Sequence, residues 1–209
     1  MNNAVPKQFL LLAGKPMVMH SMTAFMNAIP GISLVLVLPR DQFAKWQELC
    51  MEHHFTAPHQ LVAGGEARFH SVQHALPAIS DEGLVAVHDG ARPLVSTNLI
   101  RRAFQTAGLY GNCIPVIPVN ESIRKISGET NMPVDRGNLR VVQTPQVFQC
   151  EILKKAYEQD YQPQFTDDAM VLESLGETIH LTDGDLFNIK ITHPHDLAIA
   201  EMLFESRNV

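Results

Sequence analysis

At 209 residues, 45% hydrophobic and 18% charged, the chain can bury one sizeable core, which predicts a single domain over 1–209. A net charge of −6 without runs of like charge argues against a nucleic-acid or anionic-membrane surface. Cys50, Cys113 and Cys150 are odd in number and lack CxxC spacing, which excludes a disulfide framework or zinc knuckle and points to a reducing, cytoplasmic setting. Residues 1–8 carry no charged segment followed by an apolar core, and no apolar run reaches the roughly 18 residues of a span, so neither a signal peptide nor a membrane helix is expected.

In chain order, Pro16 to Ala28 reads as a mostly apolar helix, with Met17, Met19, Met22 and Met26 as core filling. Ile32 to Leu38 is a continuous aliphatic strand, and Phe43, Trp46, Leu49 and Cys50 recur at helical spacing behind Asp41. Gln60 to Ala63 forms a short strand running into Gly64-Gly65-Glu66, with a helix from about Arg68 to Ile79. Leu84 to Val87 has no alternation and sits between Gly83 and a turn, as in a strand covered on both faces. A helix capped by Ser96 or Thr97 runs through Ala107. This rhythm predicts a parallel, doubly wound α/β sheet.

After Ile114 to Val119 the rhythm breaks. Ile123 to Ile126 and Leu139 to Val142 read as two short strands of a ribbon spanning about 120–142. Such a ribbon is marginal alone, and a second copy of the chain is the economical partner. Glu151 to Glu158 reads as helical, Thr166-Asp167-Asp168 caps a helix through Leu175, and Thr178 to Thr182 is a strand. Phe187 to Thr192 leads to a last helix capped by Thr192, with Pro194 in its first turn.

The segment richest in chemistry is His88-Asp89-Gly90-Ala91-Arg92-Pro93. Ligands of open α/β sheets bind outside the carboxyl ends of the strands, so Asp89 and Arg92 are placed for a cation and an anionic substrate. A turn-capping aspartate with an arginine that merely pairs with it is the competing reading. Lys7, Arg68, Arg92, Arg136 and Lys190 sit at loops or strand ends; singly, each is also explained as a solvated charge. Lys190 is harder to dismiss, because between Ile189 and Ile191 it must pair or face a cleft. Gly64-Gly65 allows close backbone approach to a base or phosphate, as does any plain turn. Together the basic residues suit phosphoryl or nucleotidyl transfer, where a protein mainly positions substrates and offsets charge.

Pro6-Lys7-Gln8-Phe9, Gly64-Gly65-Glu66-Ala67-Arg68, the His88 to Pro93 segment, Val134-Asp135-Arg136, Thr144-Pro145-Gln146, Thr166-Asp167-Asp168-Ala169 and Asn188-Ile189-Lys190-Ile191-Thr192 occur in that order across the chain. In this the chain resembles the 2-C-methyl-D-erythritol 4-phosphate cytidylyltransferases of non-mevalonate isoprenoid synthesis. The resemblance implies a Rossmann-like, mostly parallel sheet of the nucleotide-diphospho-sugar transferase type with a projecting β-arm. It also implies transfer of CMP from CTP to 2-C-methyl-D-erythritol 4-phosphate with Mg2+, in a cytoplasmic homodimer built through the arm.

Carried over, Lys7 matches the transition-state lysine, and Arg136 and Lys190 the pair that positions substrate phosphate. Gly64, Gly65, Glu66 and Ser71 match cytosine and ribose contacts, and Asp89, Gly90 and Arg92 the strand-end motif around metal and substrate, with Asp89 the metal ligand. Ser122 stands at an arm position often held by threonine, and Thr144 matches the Thr-Pro-Gln threonine. If arms exchange, Ser122 and Arg136 serve the partner's site. A ribitol-5-phosphate cytidylyltransferase shares most of these motifs, and an inactive dimeric module is a further alternative. The family's opening strand and Ala-Ala-Gly-x-Gly-x-Arg-Met loop have no counterpart in the 209 residues. The 209 residues by themselves are therefore expected to be inactive and either insoluble or strongly destabilised, and restoring an upstream strand and loop is expected to rescue both properties.

Overall fold

The computed structural model describes residues 6–207, so the opening residues 1–5 lie outside the described ones. In chain order the elements are β1 (Leu11–Leu12), β2 (Lys15–Pro16), α1 (Met17–Ala28), β3 (Val35–Leu38), α2 (Phe43–Glu52), β4 (Gln60–Ala63), α3 (Arg68–Ala75), β5 (Leu84–Val87) and α4 (Thr97–Tyr110). There follow β6 (Asn112–Pro118), β7 (Ile123–Ser127), β8 (Thr130–Val134), β9 (Arg140–Val142), β10 (Gln146–Gln149), α5 (Cys150–Ala156), α6 (Asp168–Glu173), β11 (Leu181–Asp183) and α7 (Pro194–Arg207). The fold is α/β, with a sheet ordered β11-β6-β10-β5, β9 pairing with β6, and β3-β4 as a separate parallel pair.

Alternation of side chains across this sheet builds three layers. Val85, Val87, Ile114, Val116 and Phe148 face α3, α5 and α6, where Phe69, Leu153, Tyr157 and Leu172 fill the core. Leu84, Ala86, Cys113 and Val147 face the small residues Ala103 and Ala107 of α4. β5 thus packs on both faces, as its unbroken apolar run predicts, while each of its four residues stays half-buried. The expected methionine filling is also found, with Met17 and Met19 fully buried. Helix α4 begins where the Ser96 hydroxyl accepts from the Leu99 amide, at 3.3 Å, and stops at Gly111, whose φ of 89° favours glycine.

The ladders are mixed. β11 runs parallel to β6, but β10 is antiparallel to both its neighbours, β5 and β6. The cause is the chain's path: after β6 it leaves the sheet, forms the β7-β8 ribbon and re-enters from the carboxyl end of β5, pairing Gln146 with Val87. The ribbon differs from expectation, since the partner of Ile123–Ser127 is Thr130–Val134 and not Leu139–Val142. Gly128, at φ 58°, closes a tight turn between them, while polar composition and Pro133 concealed β8. Arg140–Val142 instead extends the main sheet along β6. Other boundaries also shift. Leu76–Ala78 tightens to a 3-10 turn, α6 ends at Glu173, and the strand predicted over 178–182 pairs only over Leu181–Asp183. Phe187 to Thr192 forms no strand, and Asp196 accepts from the amides of Thr192 and His193 to cap α7.

The Cys150 amide donates to Gly83 C=O, so alternation along the ladder turns the Val85 and Val87 groups toward β10 and those of Leu84 and Ala86 away from it. Across that edge Leu34 and Ala86 share one apolar cluster, with no ladder joining β3 to β5 among the described residues. Native-state hydrogen exchange is expected to be at least about ten-fold faster at the Ala86 amide than at Val85 and Val87. Equal protection at the three amides contradicts this arrangement.

Candidate active site

At the carboxyl end of β5 the chain turns through His88 and Asp89, and the Arg92 amide closes the turn on Asp89 C=O at 2.9 Å. The Asp89 amide donates to Thr144 Oγ1 at 3.1 Å, a contact made possible by the reversed entry of β10. Thr144 Oγ1 lies 3.0 Å from His88 Nδ1, and His88 Nε2 lies 3.1 Å from Arg92 C=O. With the threonine oxygen accepting from Asp89, its hydroxyl donates to Nδ1, and the network assigns a neutral imidazole carrying its proton on Nε2.

Burial lowers the His88 pKa from 6.5 to about 4. Above 6.5 the ring is neutral in both folded and unfolded chains; as pH falls toward 4, the unfolded chain takes up a proton that the folded one resists. Stability is therefore expected to fall across that window by no more than about 3 kcal/mol. Denaturant titrations from pH 7 to pH 4 check this: the His88→Gln variant should lose that part of the slope, and an unchanged slope would refute the assignment.

Asp89 faces three cations. Lys190 Nζ is 2.9 Å from its carboxylate, and Arg68 Nε and Arg92 Nε are each 3.6 Å away. Burial by itself would raise the Asp89 pKa, but the Lys190 hydrogen bond and charge, then Arg68, outweigh it and hold the carboxyl below its usual range. The apolar setting of Lys190 thus resolves as pairing at a cleft. Its segment is anchored without a ladder: Ile191 is fully buried and donates to Ala91 C=O at 2.8 Å, and Asn188 Nδ2 donates to Thr144 C=O at 2.8 Å. Arg92 Nη1 donates to Asn188 C=O at 2.7 Å, so this buried guanidinium holds the lysine segment while its Nε faces Asp89.

These groups surround a cleft of about 200 Å³ lined by Arg68, Asp89, Arg92, Thr144 and Lys190, with Val142, Gln143, Gln146, Thr166 and Asp167 completing the wall. Of the expected site residues, Asp89, Arg92, Thr144 and Lys190 meet here, with Gly90 beside Asp89 in the turn. Lys7 lies exposed in the 3-10 turn Lys7–Phe9, outside this lining. Gly64, Gly65 and Glu66 lie in the β4–α3 loop and Ser71 in the first turn of α3, where its Oγ accepts from Gly65 N–H at 3.1 Å. A Cβ at Gly65 would come within 2.4 Å of His70 Cβ, which explains the glycine by packing. Ser122 and Arg136 are exposed, the Arg136 guanidinium donating to Asn120 C=O.

Sequence reasoning took Arg68 only as one basic side chain among several and missed the functions of Gln146 and Asp168. Arg68 sits bidentately on Asp168, Nη1 to Oδ1 at 2.9 Å and Nη2 to Oδ2 at 2.5 Å. Burial would lower the Arg68 pKa, but the Asp168 charge outweighs this and holds it above its ordinary value. Gln146 Oε1 accepts from the amides of Asp168 and Ala169, each at 3.0 Å, and its Nε2 donates to Asp167. The available signal was a second aspartate leading the apolar run Ala169 to Leu172, since a carboxylate buried there requires a partner.

The family model described as IspD, 2-C-methyl-D-erythritol 4-phosphate cytidylyltransferase, matches residues 1–206. A protein of that name from Bacteroides thetaiotaomicron is 46% identical over 203 residues, 97% of this chain and 93% of that protein. One from Porphyromonas gingivalis is 47% identical over 202 residues, 96% and 90% of the respective chains. The crystal structure of 2-C-methyl-D-erythritol 4-phosphate cytidylyltransferase from Thermus thermophilus superposes with a TM-score of 0.78 at 31% identity, covering 96% of this chain and 94% of that one.

Proposed function

We propose a division of labour among these side chains on the premise that the chain belongs to the 2-C-methyl-D-erythritol 4-phosphate cytidylyltransferase family. It transfers CMP from CTP to 2-C-methyl-D-erythritol 4-phosphate and releases pyrophosphate, a step of isoprenoid precursor synthesis. A phosphate oxygen of the substrate attacks the α-phosphorus, the bond to the bridging oxygen of pyrophosphate breaks, and the pair of electrons leaves with pyrophosphate. The substrate brings its own nucleophile, so the protein's task is orientation and charge.

The observation that carries this reading is the cationic cleft around Asp89 at the carboxyl end of β5. Lys190, paired with Asp89 but still 43% exposed, exchanges that partner for substrate phosphate. Lys7 offsets charge growing on the α-phosphate, and the Gly64 to Glu66 loop with Ser71 reads the cytidine. Among the described residues no three His, Cys, Asp or Glu side chains converge as a metal cage. Mg2+ is commonly held by one or two carboxylates together with substrate phosphates. Asp89, a cleft-lining carboxylate whose nearest cation is the partly exposed Lys190, would hold it once that lysine turns to substrate phosphate. A bound Mg2+ would offset charge on the triphosphate.

The projecting β7-β8 ribbon, with Ile126 and Met132 69% and 55% exposed, serves as a dimerisation arm; it brings Ser122 and Arg136 to the partner's cleft. No described helix is long and apolar enough to cross a membrane, in keeping with a cytoplasmic enzyme. Assays of the chain with the family's opening strand and loop restored, given CTP and Mg2+, are expected to release pyrophosphate with 2-C-methyl-D-erythritol 4-phosphate at least about 100-fold faster than with ribitol 5-phosphate. Equal rates, or release with the ribitol ester alone, would overturn the substrate assignment.

A further inference from the structure

Tyr157 lies outside the cleft yet is joined to it by an unbroken polar chain. The ring is 2% exposed and stacks on Phe69 with centroids 4.7 Å apart. Its hydroxyl donates to Asp168 Oδ1 at 2.6 Å. Asp168 has no exposed surface and grips both terminal nitrogens of Arg68, and Arg68 turns its remaining Nε toward Asp89 at 3.6 Å. Each link removes a freedom from the next. A carboxylate fixed by a phenol and by the two Gln146-bound amides of its helix start presents both oxygens in one plane, and that plane fixes the guanidinium. A guanidinium so held cannot rotate its Nε away from Asp89.

The same chain spans the elements that meet at the cleft. Arg68 opens α3 directly after the glycine loop, Asp168 opens α6 after Thr166 and Asp167 in the cleft wall, and Asp89 ends β5. We infer that Tyr157, Asp168 and Arg68 form a positioning relay that aims Arg68 at Asp89 and locks the glycine loop to the α6 wall, so that Tyr157 governs cytidylyl transfer without touching substrate. The inference rests on the transferase reading above.

Tyr157→Phe in the full chain tests it, because the change removes one hydroxyl and keeps the stacked ring. The expected result is kcat lowered about 10-fold, the size of one hydrogen bond to a charged group, with KM for CTP within about 2-fold of the parent. The loss should vanish in an Arg68→Lys background, where there is no fork left to aim. An unchanged kcat, or a loss of the same size in the Arg68→Lys background, overturns the relay. Should Tyr157→Phe not fold, Asp168→Asn is read by the same two criteria. A parent that transfers no CMP even with the family's opening strand and loop restored would refute the transferase reading. The relay is then judged by proton exchange at Arg68 Nε–H, measured by nitrogen-15 NMR and assigned with Arg68→Lys. Exchange at least ten-fold faster in Tyr157→Phe than in the parent supports the relay, and equal rates overturn it.

Discussion

Lys190→Ala is expected to lower turnover about 100-fold while the chain stays folded, the cost typical of deleting one preorganised contact to developing charge. The two halves of this expectation have separate sources. Structurally the lysine contributes one ion pair, and with its side chain 43% exposed such a pair adds little to stability. Its removal also leaves Asp89 beside Arg68 and Arg92, so no carboxylate is stranded without a cation. The segment that carries it is held by other means, through Ile191 in the core and the Asn188 carbonyl on Arg92. Chemically, the ammonium is the cation at Asp89 most accessible to an incoming phosphate, and no neighbour is free to replace it. Melting curves beside steady-state rates check both parts. A variant that unfolds would make Lys190 a structural partner, and one that keeps the parent rate would remove it from the reaction.

A mixture of Arg136→Ala and Lys7→Ala subunits is expected to recover activity that neither variant has alone. Each homodimer carries the same lesion at both sites and should fall by about 100-fold. In a heterodimer one cleft combines an intact Lys7 with an intact Arg136 reaching over from the other subunit, while the second cleft lacks both. Free exchange in a symmetric dimer makes about half the population heterodimeric with one good site of two, so about a quarter of parental activity should return. The exposed placement of Arg136, away from its own subunit's cleft lining, motivates the experiment. No recovery after verified exchange would place Arg136 in its own subunit's chemistry or in none.

What could be read from the sequence was whatever a local pattern encodes. The apolar run Leu84–Val87 ending in Asp89 gave a covered strand with a carboxylate at its carboxyl end, and the lysine between two isoleucines gave a cation that had to find a partner. The helices around Phe25, Trp46 and Leu99 followed from spacing and caps. The Arg68–Asp168 pair did not, since its members are a hundred residues apart and each alone looks like an ordinary helix-start charge. The reversed direction of β10 was equally hidden, because an apolar strand carries no mark of which way it enters a sheet. The ribbon was half legible: Ile123 to Ser127 carries two β-branched isoleucines ahead of the Ser127-Gly128 turn, whereas Thr130–Val134 has a proline and polar neighbours where a strand signal should stand.

That reversed strand has a mechanical consequence. Between the last residue of β9, Val142, and the first of β10, Gln146, lie three residues, and the middle one is Thr144, whose hydroxyl receives the Asp89 amide. The excursion that carries the ribbon and the turn that carries Asp89 are therefore tied together by a short stretch of chain, with Gln143 and Thr144 both pinned to the Asp185 to Asn188 segment. Tension on the ribbon's return limb is passed to the strand-end aspartate with almost no slack, in the manner of a tendon crossing a joint.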